Sequence, residues 1–376
     1  MHPTGAREFC GVGPQRNQAL TLCSFEMEGD HVVEGVLRVS DGMWYPILQG
    51  VPCFLTGELR PDLKGFSSRH NLDAPAGIAG RSDVGDQART NQTFSDKWRR
   101  FKRYGFEPAH REFLFEWYCK KLGVPDLDAL RAFYRDRERV LEVGPGSGFN
   151  TRFIAENCRG SVFALDISDA AFTTYENTRD LVNCTVLQAD LMDSPFYDEA
   201  FDLIIADGVL HHTPSTRDAV AALYRKVRPG GEFFFYVYRK MGAVRQYSDR
   251  HIRERFTKFS PEECYTACEA ITELGRELSR LNATIVLERP IPALGIPAGT
   301  HNVQRLIYYN FLKCFWNEAF DFETNNMVNF DWYHPHNAWQ HDEEEVVGWL
   351  RELAVKQYSI NDANPNGISV LLTKPR

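Results

Sequence analysis

The stretch VLEVGPGSGFNT, residues 140–151, decides the fold. Val140, Leu141 and Val143 surround the single acid Glu142. Gly144, Gly146 and Gly148 follow at every second position, with Pro145 between the first two. This reads as a buried strand running into a glycine turn that opens a helix. Glycine tolerates positive φ, and without a Cβ it lets a ligand approach the backbone. A polar ligand then meets free N–H groups at the helix start. Many nucleotide sites use glycine turns, so the elements downstream decide which ligand this one faces.

Downstream, strands and helices alternate. SVFALDIS, residues 161–168, is a second strand that ends at Asp166. In a parallel unit its end lies beside the end of the first strand, where a carboxylate can accept both hydroxyls of a ribose. CTVLQADLMD, residues 184–193, is a third strand ending at Asp190. FDLIIADGVLHH, residues 201–212, is a fourth, and its nearly unbroken apolar run suits a strand covered on both faces. A helix from Asp218 stops at Arg228-Pro229-Gly230-Gly231, and EFFFYVY, residues 232–238, is a fifth strand.

This array resembles the class I S-adenosylmethionine-dependent methyltransferases. The residues that carry the resemblance are Glu142-Val143-Gly144-Pro145-Gly146-Ser147-Gly148, Asp166, Ala189-Asp190-Leu191, Asp207-Gly208-Val209-Leu210-His211-His212, and Arg228-Pro229-Gly230-Gly231. A nicotinamide dehydrogenase is the rival for a glycine loop plus an acid. It usually shows GxGxxG, whereas this turn is ExGxGxG, and it leaves VLHH and RPGG without a role. The resemblance implies an α/β, Rossmann-like doubly wound seven-stranded sheet that binds S-adenosylmethionine. It implies that Glu142, Gly144, Gly146, Gly148, Asp166 and Ile167 serve the methionine and ribose, and that Asp190 and Leu191 serve the adenine. Asp207 and Gly208 then flank the reacting methyl. His211 and His212 follow the fourth strand, where the acceptor meets the methyl, and either is a candidate general base.

Residues 1–60 read as a small β module. Residues 45–52, YPILQGVP, resemble the YPI-x-x-G-[IV]-P signature of short zinc-ribbon-like domains that accompany methyltransferases as subunits or fused modules. Four thiolate ligands are not at hand, because residues 39–42 read VSDG and only Cys10 and Cys23 lie upstream. The expectation is therefore a degenerate module without metal, serving as a packed lid or a docking piece for a protein partner. Residues 61–93 read as a flexible linker rich in Gly, Ser, Asp and Ala.

Phe94, Trp98, Phe101 and Tyr104 fall at helical spacing, and Phe94-Ser95-Asp96-Lys97-Trp98 resembles the entry helix that covers the cofactor in many class I methyltransferases. The charges Lys97, Arg99, Arg100, Lys102 and Arg103 read as a solvated helix face. Entry helices and cofactor-binding core together span residues 94–238. The fold then lacks one helix and two strands, which residues 339–376 supply. Residues 239–338 are left as an inserted helical and aromatic cap on the substrate side. Within the cap, Cys264 and Cys268 share one helix face and read as core. RLIYYNFLKCFWNEAF, residues 305–320, reads as an aromatic helix, and NFDWYHPHNAW, residues 329–339, as an irregular loop. Aromatic walls with a few polar groups suit a substrate pocket, which makes Arg305, Tyr308, Trp332, Tyr333 and His334 the candidate acceptor contacts.

The chain of 376 residues carries a net charge of −8, which gives no footprint for nucleic acid. Its nine cysteines are scattered without a CxxC pair, the pattern of a reducing cytoplasm, and no metal site is expected. No apolar run long enough for a membrane span occurs, and the N-terminus lacks a signal-peptide core. The leading expectation is methyl transfer from S-adenosylmethionine to a small-molecule acceptor, with O-, N- or C-methylation left open. The alternative is a non-catalytic cofactor-binding scaffold or partner subunit.

Overall fold

The first sheet is antiparallel and four-stranded: β1 (Thr21–Glu28), β2 (His31–Arg38), β3 (Trp44–Leu48) and β4 (Val51–Pro52), in that order. The computed structural model describes residues 1–73, 85–361 and 365–376. Leu37 and Ile47 are fully buried on its face toward the main sheet, and Val36 on the opposite face, with Trp44, Leu63 and Phe66. The chain leaving β4 runs on beside the main sheet, where Cys53 bridges Gln188 in parallel and the Phe54 N–H donates to the Gln188 carbonyl at 2.8 Å. The small sheet thereby covers an edge strand that would otherwise present unpaired backbone groups. Phe9 packs on Phe163 and Phe196 with ring centroids 6.3 and 5.6 Å away, so the two sheets share one apolar core.

Among the described residues, four α-helices precede the main sheet: α1 (Lys64–Arg69), α2 (Gly85–Arg100), α3 (Pro108–Leu122) and α4 (Leu127–Arg135). Part of the stretch read as a linker is therefore helical, at Lys64–Arg69 and from Gly85 onward, while residues 74–84 lie outside the described residues. The reason is buried polarity. Gln87, Thr90, Asn91 and Thr93 face inward on α2 and find hydrogen-bond partners. The Asn337 N–H donates to Thr90 Oγ1 at 3.0 Å, its amide donates to Gln87 Oε1 at 3.3 Å, and Thr93 Oγ1 lies 2.7 Å from His334 Nδ1. Satisfied in this way, polar side chains can form an interior face.

The main sheet alternates strands with helices: β5 (Arg139–Val143), α5 (Phe149–Asn157), β6 (Ser161–Asp166), α6 (Ala170–Thr178), β7 (Cys184–Gln188), β8 (Phe201–Asp207), α7 (Thr216–Lys226) and β9 (Val227–Tyr238). A cap follows, made of α8 (Ala243–Phe256), α9 (Pro261–Arg280), the hairpin β10 (Thr284–Leu287) and β11 (Gly299–Asn302), α10 (Val303–Asn310) and α11 (Phe322–Tyr333). The chain then returns through α12 (Glu343–Glu352), β12 (Gln357–Asn361) and β13 (Gly367–Thr373). The seven strands lie in the order β12-β13-β9-β8-β5-β6-β7, parallel except for the pairs that β13 makes. This is the doubly wound α/β sheet expected from the sequence. Strand order reverses between β5 and β8, and such a switch point opens a crevice at the strand C-termini.

Two cap segments differ from their sequence reading. The helix expected over residues 305–320 ends at Asn310, because side chains satisfy the backbone beyond it. The Phe315 N–H donates to Asn329 Oδ1 at 2.8 Å, and the Cys314 carbonyl accepts from Gln304 Nε2 at 3.2 Å. The expected loop at residues 329–339 is instead helical through Tyr333. Cys264 and Cys268 are fully buried beside Tyr333 and Trp332, as core residues. Among the described residues all nine cysteines are free, and no helix is long and apolar enough to cross a membrane.

Candidate active site

A cavity of ≈ 560 Å³ opens along the C-terminal edge of the main sheet, roofed by α2, α3 and the cap. The strand ends converge on it because each follows an apolar run that the sheet buries. Gly144 arrives after β5, Asp166 and Ile167 at the end of β6, Asp190 and Leu191 after β7, and Asp207 and Gly208 at the end of β8. Among the described residues, none from the N-terminal sheet lines this cavity. A lid role for residues 1–60 over this cavity is therefore not what the structure has.

Asp166 is buried, and its Oδ1 accepts from the Ser168 N–H at 2.8 Å and the Ser168 hydroxyl at 2.7 Å. Burial raises its pKa to about 6, against the pull of those bonds and of the Gly146 N–H. Asp190 caps a short turn by accepting from the Met192 N–H at 2.9 Å. Asp207 pairs with the buried ammonium of Lys121 from α3. Burial lowers the Lys121 pKa while Asp207 opposes that shift.

The other residues expected at the cofactor support the turn from behind. The Glu142 carboxylate accepts from Asn150 Nδ2 at 2.7 Å and from Thr151 Oγ1, which ties β5 to the start of α5. Its burial raises its pKa to about 7. Gly146 has φ +60, and a Cβ there would stand 2.5 Å from the indole of Trp98. Gly148 caps α5, and a Cβ there would stand 3.1 Å from the Thr174 backbone. Of the three glycines only Gly144 lines the cavity. The tight approach at Gly146 and Gly148 is made by protein atoms.

The two histidines diverge. His212 lines the cavity, with Nδ1 2.7 Å from the Asn337 carbonyl, so Nδ1 carries the proton and Nε2 the lone pair. Burial lowers its pKa to about 4. His211 is fully buried and does not line the cavity. It stacks on Tyr238 with centroids 3.7 Å apart, and among the described residues neither ring nitrogen has a hydrogen-bond partner.

Of the expected acceptor contacts, Arg305, Tyr308 and Trp332 line the cavity. Tyr333 and His334 do not. The Tyr333 hydroxyl donates to the Lys313 carbonyl at 2.9 Å, and the His334 ring bridges Thr93 and the Phe259 carbonyl. Both brace α11 against its neighbours.

Three lysines at the cavity were hidden in the sequence. Lys97 belongs to the charge run expected as a solvated face, yet it is buried, paired with Asp331 at 3.1 Å and 4.3 Å over the Trp98 ring. Lys121 and Lys313 are buried as well. One signal existed: Trp117 and Lys121 are four apart on α3, which puts an aromatic ring and a cation on one face.

The donor set suits a zwitterionic nucleoside. Asp166 offers a carboxylate for vicinal hydroxyls, and the Lys121–Asp207 pair offers one charge of each sign. Gly208, at φ +76 with nothing within 4 Å of its Cβ position, leaves room beside that pair.

Residues 141–235 match the family model described as methyltransferase domain. A highly reducing polyketide synthase of Penicillium polonicum is 30% identical over 115 residues, covering 28% of this chain and 4% of that protein. An uncharacterized chloroplastic methyltransferase of Arabidopsis thaliana is 32% identical over 146 residues, covering 36% of this chain and 38% of that protein. The chain thus spans well under half the length of these relatives. Among solved structures, the N-methyltransferase NodS of Bradyrhizobium japonicum with S-adenosyl-L-homocysteine is 14% identical at a TM-score of 0.39, covering 77% of this chain and 100% of NodS.

Proposed function

We propose that the chain transfers a methyl group from S-adenosylmethionine to a small-molecule acceptor. The observation that carries this reading is the convergence of Gly144, Asp166, Asp190 and Asp207 from four parallel strands on one cavity, within the segment that matches the methyltransferase domain. S-adenosylmethionine, when bound, supplies a methyl group activated on a sulfonium. The chain's own residues hold and position it. Asp166 accepts the two ribose hydroxyls. Asp190 accepts the exocyclic amine of the adenine, with Leu191 against the ring. Lys121 and Asp207 exchange part of their mutual pairing for the carboxylate and ammonium of the methionine.

In-line displacement needs orientation and dryness more than a catalytic side chain. Here α2, with Trp98 on the glycine turn, supplies cover. The aromatic walls contributed by Tyr238, Tyr308 and Trp332 supply the acceptor side. In this reading, residues 94–238 and 339–376 form the cofactor-binding core and residues 239–338 the acceptor cap. Residues 1–60 brace the β7 edge, and the free cysteines fit a cytoplasmic setting. His212 is the cavity histidine available to receive a proton, at its Nε2.

The test is to incubate the purified chain with methyl-labelled S-adenosylmethionine and a small-molecule extract. Label should enter the small-molecule fraction with the native chain and not with Asp166→Ala. Binding of the cofactor without transfer to any fraction would favour a scaffold, and absence of binding would overturn the reading.

A further inference from the structure

Lys97, Lys121 and Lys313 are all buried and all line the cavity, but only the first two have an acid. Among the described residues, the Lys313 ammonium makes no hydrogen bond or ion pair. It sits 4.0 Å over the ring of Trp332, another wall residue. A cation–π contact alone returns less than burying an ammonium costs. The surroundings add to the imbalance. Arg245 and Lys97 bring two positive charges near Lys313, while Asp249 and Asp331 bring two negative ones, so the cluster including Lys313 holds one cation in excess. Asp249 is already paired with Arg245 at 2.8 Å, and Asp331 holds Lys97 through Oδ2, while its Oδ1 makes no hydrogen bond among the described residues. Burial, with Arg245 and Lys97, brings the Lys313 pKa down to about 7, against the pull of Asp331 and Asp249.

We propose that the acceptor is an aromatic acid whose carboxylate seats on Lys313, with its ring against the wall formed by Tyr238, Tyr308 and Trp332. This rests on the methyl-transfer reading and names the acceptor class for that site. The missing negative charge comes from the ligand, and the planar walls match a planar ring. A carboxylate bound there makes a charge-assisted hydrogen bond to a buried ammonium.

The probes are 2-naphthoate and its neutral counterpart 2-naphthamide, which share a shape and differ in charge. Each is titrated by calorimetry into the full chain saturated with S-adenosylhomocysteine. The native chain should bind naphthoate about ten- to a hundredfold more tightly than naphthamide, the range of one hydrogen bond to a charged group. Lys313→Met should abolish that preference while leaving naphthamide within about threefold, and Lys313→Arg should retain a preference of at least about fivefold. Retained binding of S-adenosylhomocysteine reports that each variant is folded, and where Lys313→Met fails that check the Lys313→Arg result decides. Equal affinities in the native chain, no binding of either probe, or a preference that survives Lys313→Met would overturn the proposal. Failure of S-adenosylhomocysteine to bind the native chain would instead overturn the methyl-transfer reading.

Discussion

Trp98 lies so close to Gly146 that a Cβ on residue 146 would stand 2.5 Å from Cζ2 of the indole. The glycine turn is thus shaped by a neighbouring side chain as well as by any ligand. Gly146→Ala meets this clash and a φ of +60 together, and should cost roughly 1–3 kcal/mol of stability. Removing the indole relieves only the clash. Measured by denaturant titration, the double variant Gly146→Ala, Trp98→Ala should therefore lose less than the sum of the single losses. Strict additivity would show that the two residues do not press on each other.

Asp166 sets a pH dependence for cofactor binding. Its pKa in the free protein is about 6, raised by burial, and only the carboxylate accepts from both ribose hydroxyls. Affinity for S-adenosylhomocysteine should be flat above pH 7 and fall by up to about tenfold per unit below pH 6. Asp166→Asn should bind weakly and without that slope. A native profile that is level from pH 5 to 8 would remove Asp166 from the ribose.

Lys121 is buried and Asp207 partly so, and truncating one partner of this pair strands the other charge. Lys121→Met and Asp207→Asn should each destabilise by roughly 3–5 kcal/mol, and the double variant by much less than their sum. Thermal unfolding of the four proteins at one pH measures the coupling. Both single variants should also bind S-adenosylhomocysteine more weakly.

Glu142 titrates in the opposite sense from a salt-bridged acid. Its folded pKa, about 7, lies above its unfolded value, so folding takes up a proton between the two. The stability it contributes is complete below about pH 4.5 and is lost as pH rises through about 7. Glu142→Gln should therefore gain stability relative to the native chain on going from pH 5 to pH 8, by roughly 2–3 kcal/mol. A relative change below about 0.5 kcal/mol would show that Glu142 is ionised at neutral pH in the fold.

The sheet was legible because β5, β6 and β8 are apolar runs, and an acid marks the chain at or just past the ends of β6, β7 and β8. A period of two or an unbroken apolar stretch survives without tertiary context. The roof of the site was not legible, for two physical reasons. The inner face of α2 is polar, and partners more than 200 residues away, such as Asn337 and His334, help turn Gln87, Thr90 and Thr93 into interior residues. Lysines read as surface until their acids are located: Lys97 finds Asp331 and Lys121 finds Asp207 only in the fold. The residues around Lys313 resist reading for a related reason. Gln304 and Asn329 take over backbone hydrogen bonds that a helix would have made, so an apolar aromatic run leaves its helix early.

Cofactor binding is decided by titrating S-adenosylhomocysteine into the native chain and into Asp166→Ala at pH 7.5 by calorimetry. One site per chain is expected in the native protein, with a loss of about ten- to a hundredfold in affinity for the variant, as when hydrogen bonds to a charged group are removed. No heat of binding with the native chain, or equal affinity for both proteins, would contradict it.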